Sequence, residues 1–194
     1  MDIQALVTAQ RAYFNTGATL PLSARRAALQ RLRETITAHE GDITAALRSD
    51  LNKAPTESYM CEAGLTLSER SFVEKQLGRW MADRPHLTPL AQFPARSFTV
   101  REPYGVVLIM SPWNYPFLLT VEPLIGAIAA GNCCVVKPSA YSPAPRRSSG
   151  GFWRSASRRS LSRWWRGEGR KIRPCWTRNL TISSSPAGWR WAKR

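Results

Sequence analysis

Residues 107–116, VLIMSPWNYP, carry an apolar run straight into a loop with two prolines, two aromatics and a bare amide, Asn114. A second apolar run, CCVV at residues 133–136, stops at Lys137, Pro138 and Ser139. An amide donates and accepts hydrogen bonds, and an ammonium donates only. Each of these polar groups stands just past an apolar run, where a sheet would present it to a ligand. The other candidates for chemistry are few. Of the four cysteines, Cys133 and Cys134 are neighbours within the second apolar run and read as buried thiols rather than half of a disulfide framework. The two histidines, His39 and His86, show no metal-ligand spacing with them.

Two kinds of element must position these groups. VVLIM (residues 106–110) and CCVV are short and continuously apolar, the pattern of strands buried on both faces of a parallel sheet. Between them, FLLTVEPLIGAIAAG reads as an apolar helix closed by Gly131 and Asn132. Strand, helix, strand is a βαβ unit with parallel strands, and in open parallel sheets ligands bind outside the carboxyl ends. Residues 111–114 and 137–139 sit at those two ends, so an amide and an ammonium are expected in one crevice. SFTVREPYG, from Ser97, alternates as a strand and ends in a turn.

Before this unit, residues 2–82 read as helices. Ile3, Leu6, Val7 and Gln10 form a stripe that Gly17 ends, and a second helix begins at Pro21 with Leu22, Leu29, Leu32 and Ile36 near one face. Pro55 is expected to stop a third helix, and residues 58–81 form a long amphipathic segment whose charged faces read as solvated surface. The expected class is therefore α/β, with N-terminal helices (1–96) followed by part of a parallel-sheet, Rossmann-like coenzyme-binding domain (a partial dinucleotide-binding unit, 97–145). No signal-peptide pattern opens the chain, and its longest apolar stretch is interrupted by Glu122 and Pro123, so a cytoplasmic setting away from membranes is expected.

The net charge of +15 belongs almost wholly to the rest. Residues 1–145 hold 14 basic against 12 acidic residues, whereas residues 146–194 hold 14 basic residues and one acid, Glu168. Six of the eight tryptophans and twelve arginines lie in this tail, and neither period survives beyond a few residues. Too few aliphatic residues are present to offset the entropy of ordering, so the tail is expected to be disordered. An Arg/Trp-rich tail could alternatively grip nucleic acid or an anionic membrane surface, but it shows neither an amphipathic face nor regularly spaced aromatics.

PYGVVLIMSPWNYPFLLTVEPLIGAIAAGNCCVVKPS closely resembles the coenzyme-binding domain of the aldehyde dehydrogenase superfamily, and its Trp-Asn-Tyr-Pro form resembles the class 3 branch. With the preceding helices, the resemblance spans residues 1–143. It implies NAD(P)-dependent oxidation of a small-molecule aldehyde to a carboxylic acid through a cysteine thioester. Asn114 matches the residue whose side-chain N–H stabilises the oxyanion. Met110, Ser111, Pro112 and Trp113 would line the cofactor, and Lys137, with Ser139 beside it, matches the lysine that binds the adenosine ribose. Where the family often has a glutamate three residues after that lysine, this chain has Ala140, which makes NADP as well as NAD acceptable. A homodimer is implied only for the full-length form. The nucleophilic cysteine, the general-base glutamate and a Phe-Thr-Gly cofactor turn belong downstream of residue 143 in the family. Neither Cys133, Cys134 nor Cys175 matches the nucleophile, so these 194 residues alone are expected to be inactive.

The genetic code links the odd tail to these missing parts. When each codon starts at the third base of the one translated, Trp164 and Trp165 force a valine and Trp191 with Ala192 forces a glycine. TISSSPAGWRWAK then permits Tyr-Ile-Phe-Phe-Thr-Gly-Gly-Val-Ala-Val-Gly-Lys, which resembles the absent cofactor turn. The stretch 160–176 permits Glu-Leu-Val-Ala-Val-Val-Glu-Gly-Gly and then a Leu-Leu pair. A frameshift near codons 143–146 is the expectation that joins both observations.

Overall fold

The computed structural model describes residues 3–142 and two further strands, Ser162–Trp164 and Thr181–Ser183. Helix α1 (Ile3–Asn15) buries Leu6, Val7 and Gln10, the expected stripe, and stops where Gly17 takes a left-handed φ of 72°. Helix α2 (Leu22–Ala38) follows Pro21 and buries Ala28, Leu29, Leu32 and Ile36. Helix α3 (Glu40–Leu51) ends before Pro55, at Asn52 in the left-handed conformation, φ 53°. Pro55 is thus a helix starter: it opens the short α4 (Pro55–Ser58), where its missing N–H costs nothing. A π-helical turn, Tyr59–Ala63, leads into α5 (Gly64–Met81).

That turn overturns one sequence expectation. An extra residue per turn rotates the side chains off the face that a 3.6-residue period assigns. Glu62, read as solvated surface, is fully buried, as is Arg70 one helix further on. Gly64 accommodates the turn, since a Cβ there would stand 2.9 Å from the Tyr59 carbonyl oxygen.

Strand β1 (Arg84–His86) pairs antiparallel with β2 (Ser97–Thr99) as a separate, largely exposed ribbon. The strand expected from Ser97 is therefore only three residues long and lies outside the main sheet. The βαβ unit follows as β3 (Val106–Met110), α6 (Leu118–Ala129) and β4 (Cys133–Lys137), with β3 and β4 parallel. Alternation along both strands splits their side chains between two cores. Val107, Ile109, Cys134 and Val136 pack with α2, α3, α5 and α6, while Val106, Leu108, Cys133 and Val135 pack with Leu6 and Val7 of α1. Helices on both faces explain the unbroken apolar runs. Each fully buried aliphatic side chain contributes about 1.5–3 kcal/mol here.

Strands β5 (Ser162–Trp164) and β6 (Thr181–Ser183) complete a parallel sheet of order β5-β4-β3-β6. The other tail residues, on which the expectation of disorder falls, lie outside the described residues.

Candidate functional site

The site is built by a register. Met110 of β3 lies opposite Lys137 of β4, and the Ser111 N–H donates to the Lys137 carbonyl at 3.2 Å. The two strands therefore end side by side, and their following loops leave from one rim. This juxtaposes residues 110–114 with residues 137–139, as the sequence led one to expect. Met110, Ser111, Pro112 and Lys137 are half-buried, whereas Trp113 and Asn114 are exposed. Ser139 is buried, and its hydroxyl accepts a hydrogen bond from the Tyr141 N–H at 3.1 Å. Ala140 is exposed.

The turn before β4 is tightly held. Gly131, φ 88°, reverses the chain after α6, and Asn132 anchors the start of β4 to the start of β3. The Asn132 Oδ1 accepts from the Gly105 N–H at 2.9 Å, and the Cys133 N–H donates to the Gly105 carbonyl at 2.8 Å. Past β4, the Ser142 hydroxyl donates to Asp50 Oδ2 at 2.9 Å and ties the exit segment to α3.

The loop after β3 is held by residues the sequence reading passed over. Glu62 Oε2 accepts from the N–H groups of Phe117, 2.8 Å, and Leu118, 3.2 Å, at the start of α6. Its Oε1 is 2.5 Å from the Lys53 ammonium. Lys53 Nζ in turn approaches the Asn114 carbonyl at 3.5 Å and stands 4.0 Å from the centroid of the Tyr115 ring. No local sequence pattern marks this pair. The π turn removes Glu62 from its expected face, and Lys53 lies between a left-handed cap and a proline.

The cysteines of β4 have the wrong electrostatics for a nucleophile. Burial pushes the Cys133 thiol up to about 11, and burial, then Cys133 itself, push Cys134 higher still. Both are protonated thiols near neutral pH, and the thiolate is the reactive form. Among the described residues no cluster of His, Cys, Asp or Glu could hold a metal ion.

One polar atom at the rim lacks a partner. Ser111 Oγ is buried with no hydrogen-bond partner among the described residues, and it lies one residue past the strand end. A parallel sheet flanked by helices on both faces, with a hydroxyl, an ammonium and an amide at its carboxyl rim, is the doubly wound class of α/β protein.

Comparison with known proteins specifies it further. The family model described as "Aldehyde dehydrogenase family" matches residues 1–147. The chain is 46% identical over 133 residues to the 4,4'-diaponeurosporen-aldehyde dehydrogenase of Staphylococcus aureus, covering 69% of this chain and 29% of that protein. It is 46% identical over 139 residues to aldehyde dehydrogenase family 3 member H1 of Arabidopsis thaliana, covering 72% and 29%. It is also 44% identical over 141 residues to the dimeric NADP-preferring aldehyde dehydrogenase of Canis lupus familiaris, covering 72% and 31%. Among solved structures, substrate-bound AldH of Staphylococcus aureus superposes with a TM-score of 0.85 and 36% identity, over 90% of this chain and 38% of that one. The chain belongs to the aldehyde dehydrogenase family, and its helices and partial parallel sheet share that family's Rossmann-like fold. It spans under a third of the length of these curated relatives.

Proposed function

We propose that this chain is the amino-terminal part of an NAD(P)-dependent aldehyde dehydrogenase, carrying the oxyanion donor and part of the cofactor site. The bound dinucleotide would accept the hydride that leaves the aldehyde carbon. Asn114 would donate its side-chain N–H to the oxygen that gains negative charge when a thiolate adds to the carbonyl. A positioned donor of this kind contributes about 3–4 kcal/mol of transition-state stabilisation. Lys137 would donate to ribose hydroxyls, and Ser111 Oγ would find in the cofactor the partner it lacks here. Ala140 leaves no carboxylate to repel a 2′-phosphate, so both NAD and NADP are expected to bind. The observation that carries this reading is the Met110–Lys137 register, which sets both loops on one rim of a sheet with the family's fold.

No residue of these 194 is assigned as nucleophile or general base, so on their own they are expected not to turn over. We infer that residues beyond about 143 are family sequence read in a displaced frame. The positions of β5 and β6 support this. Ser162–Trp164 falls on codons that, shifted, permit Ala-Val-Val, and Thr181–Ser183 falls on codons that permit Tyr-Ile-Phe. Both stretches thus become apolar strands in the reading where the family's sheet would continue.

The test is to re-read the nucleotides across codons 140–150 and to assay the product of whichever frame stands. A dropped or added base, with an in-frame product that reduces NAD or NADP with an aldehyde, is the expected result. An intact frame would overturn the displaced-frame reading, and turnover by the 194-residue chain itself would overturn its predicted inactivity.

A further inference from the structure

The loop that presents Asn114 is tied at its ends, where the Ser111 N–H donates to the Lys137 carbonyl at 3.2 Å and the Leu119 N–H to the Tyr115 carbonyl at 3.0 Å, but not at Asn114 itself. Pro112 and Pro116 lack N–H groups, and Trp113, Asn114 and Tyr115 are exposed. Proline limits the backbone of such a loop but does not choose where it sits. The fixed point comes from elsewhere in the chain. Glu62 is 0% exposed and Lys53 7%, and both project from the segment between α3 and α5 toward residues 114–118. One carboxylate oxygen takes the ammonium while the other takes two backbone N–H groups at the entry of α6. The same ammonium lies against the carbonyl of Asn114 and the face of the Tyr115 ring.

We propose that Lys53 and Glu62 are the positioning pair for Asn114, an inference that rests on the oxyanion role proposed above. They hold residues 114–118 from both ends of one ion pair. Glu62 holds the start of α6, and Lys53 lies against the Asn114 carbonyl four residues earlier, so the backbone from which the Asn114 side chain leaves is held on both sides of Tyr115. The π turn is the device that aims Glu62 inward: an α-helical turn would carry the carboxylate round the helix and away from Phe117. A buried ion pair is a poor way to gain stability, because desolvation offsets most of the attraction. Its geometric yield is different, since a carboxylate and an ammonium with four partners on one loop specify a single arrangement.

A single substitution would strand a buried charge, so the informative variant removes both. In Lys53→Met/Glu62→Gln the glutamine oxygen still accepts from Phe117, and no unpaired charge is left behind. The 194-residue chain, labelled with nitrogen-15, is compared with this double variant and with Lys53→Arg by NMR relaxation and by urea denaturation. In the parent, the Asn114 backbone N–H is expected to show the order parameter of rigid backbone, about 0.85, and in the double variant to fall toward about 0.6 or below. The urea midpoint and the order parameters of β3 and α6 are expected to hold, and Lys53→Arg is expected to keep the loop rigid. An Asn114 order parameter unchanged in the double variant would overturn the proposal. So would a loss of order spread evenly through β3 and α6, which marks a merely structural pair. The measurement reads the loop and not turnover, so it decides the positioning role separately from the oxyanion role of Asn114.

Discussion

Gly131→Ala is expected to be among the most damaging small substitutions in this chain, and its cost can be worked from two sources. Gly131 has φ 88°, a left-handed conformation that costs an L-residue roughly 1–2 kcal/mol. A Cβ there would also lie 2.7 Å from both Cζ and Nη2 of Arg25 and 3.0 Å from its Nε. Arg25 cannot yield cheaply, because it is 8% exposed. Its Nε donates to the Thr19 carbonyl at 3.2 Å and its Nη1 to the Ala129 carbonyl at 3.0 Å. Burial lowers the pKa of the guanidinium, but those two carbonyls replace water around a cation that stays charged. Hydrogen bonds to a charged group contribute about 1.5–3 kcal/mol each, so displacing one adds about 2 kcal/mol and the total approaches 3–4 kcal/mol. That is a large part of the stability of an ordinary domain. Urea denaturation followed by far-ultraviolet circular dichroism measures it, and a double-mutant cycle separates the sources. In an Arg25→Ala background only the conformational part should survive, leaving a coupling of about 2 kcal/mol. Costs that add to within about 0.5 kcal/mol would refute the steric half of this reasoning. A neutral Gly131→Ala would refute both halves.

Two other outcomes follow from the titrating groups. Burial, then the nearby charge of Glu69, raise the Glu122 pKa, so the folded state holds that proton more tightly than the unfolded state. Stability therefore falls as pH rises from the unfolded pKa through the folded one, and Glu122→Gln should remove this slope and slightly stabilise the chain at pH 7. The gain should be about 0.5 kcal/mol or less because solvent screens a half-buried side chain, and a loss of stability at pH 7 would contradict it. With its thiol pushed up to about 11, Cys133 should resist iodoacetamide at pH 8 in the folded chain, whereas half-buried Cys61 is alkylated before it. Peptide mass spectrometry reads the order, and equal rates at Cys61 and Cys133 would count against the buried-thiol reading.

What was legible in the sequence were the elements with the simplest environment. β3 and β4 are covered on both faces, so every residue from Val106 to Ile109 must be apolar, and the run announces itself. The stripe of α1 and the glycine that ends α6 were legible for similar reasons: one face is buried and one turn needs a left-handed residue. Charged residues with distant partners were not. Arg25 looks like solvated helix surface until its partner, the Ala129 carbonyl, arrives from 104 residues away. Glu62 was hidden twice, by a π turn that breaks the helical period and by backbone partners 55 and 56 residues further on. Pro55 is ambiguous in the sequence because a proline both follows one helix and begins another, and in the fold Asn52 has already closed α3. In the candidate site, then, the polar groups at the strand ends were visible from local pattern, whereas the pair that contacts residues 114–118 was not.

The order of the sheet gives a reason why the amide stands on β3 and not on β4. From β3 the chain steps to β4 and on to β5 on one side, then returns to lay β6 on the other side of β3. The strand order thus reverses at β3, and in open parallel sheets ligands sit at the carboxyl end of the strand where the order reverses. The loop carrying Asn114 leaves from that strand, while Lys137 leaves from its neighbour at the matching register position. A parallel ladder uses only backbone N–H and C=O groups, so three-residue segments as polar as Ser162–Trp164 and Thr181–Ser183 can still pair, Cys134 with Ser162 and Val107 with Thr181 among them. What the ladder cannot supply is the apolar packing that a central parallel sheet requires on both faces. That packing is supplied by Val106–Ile109 and Cys133–Val136, all buried, so the loop carrying Asn114 leaves from a strand fixed on both faces.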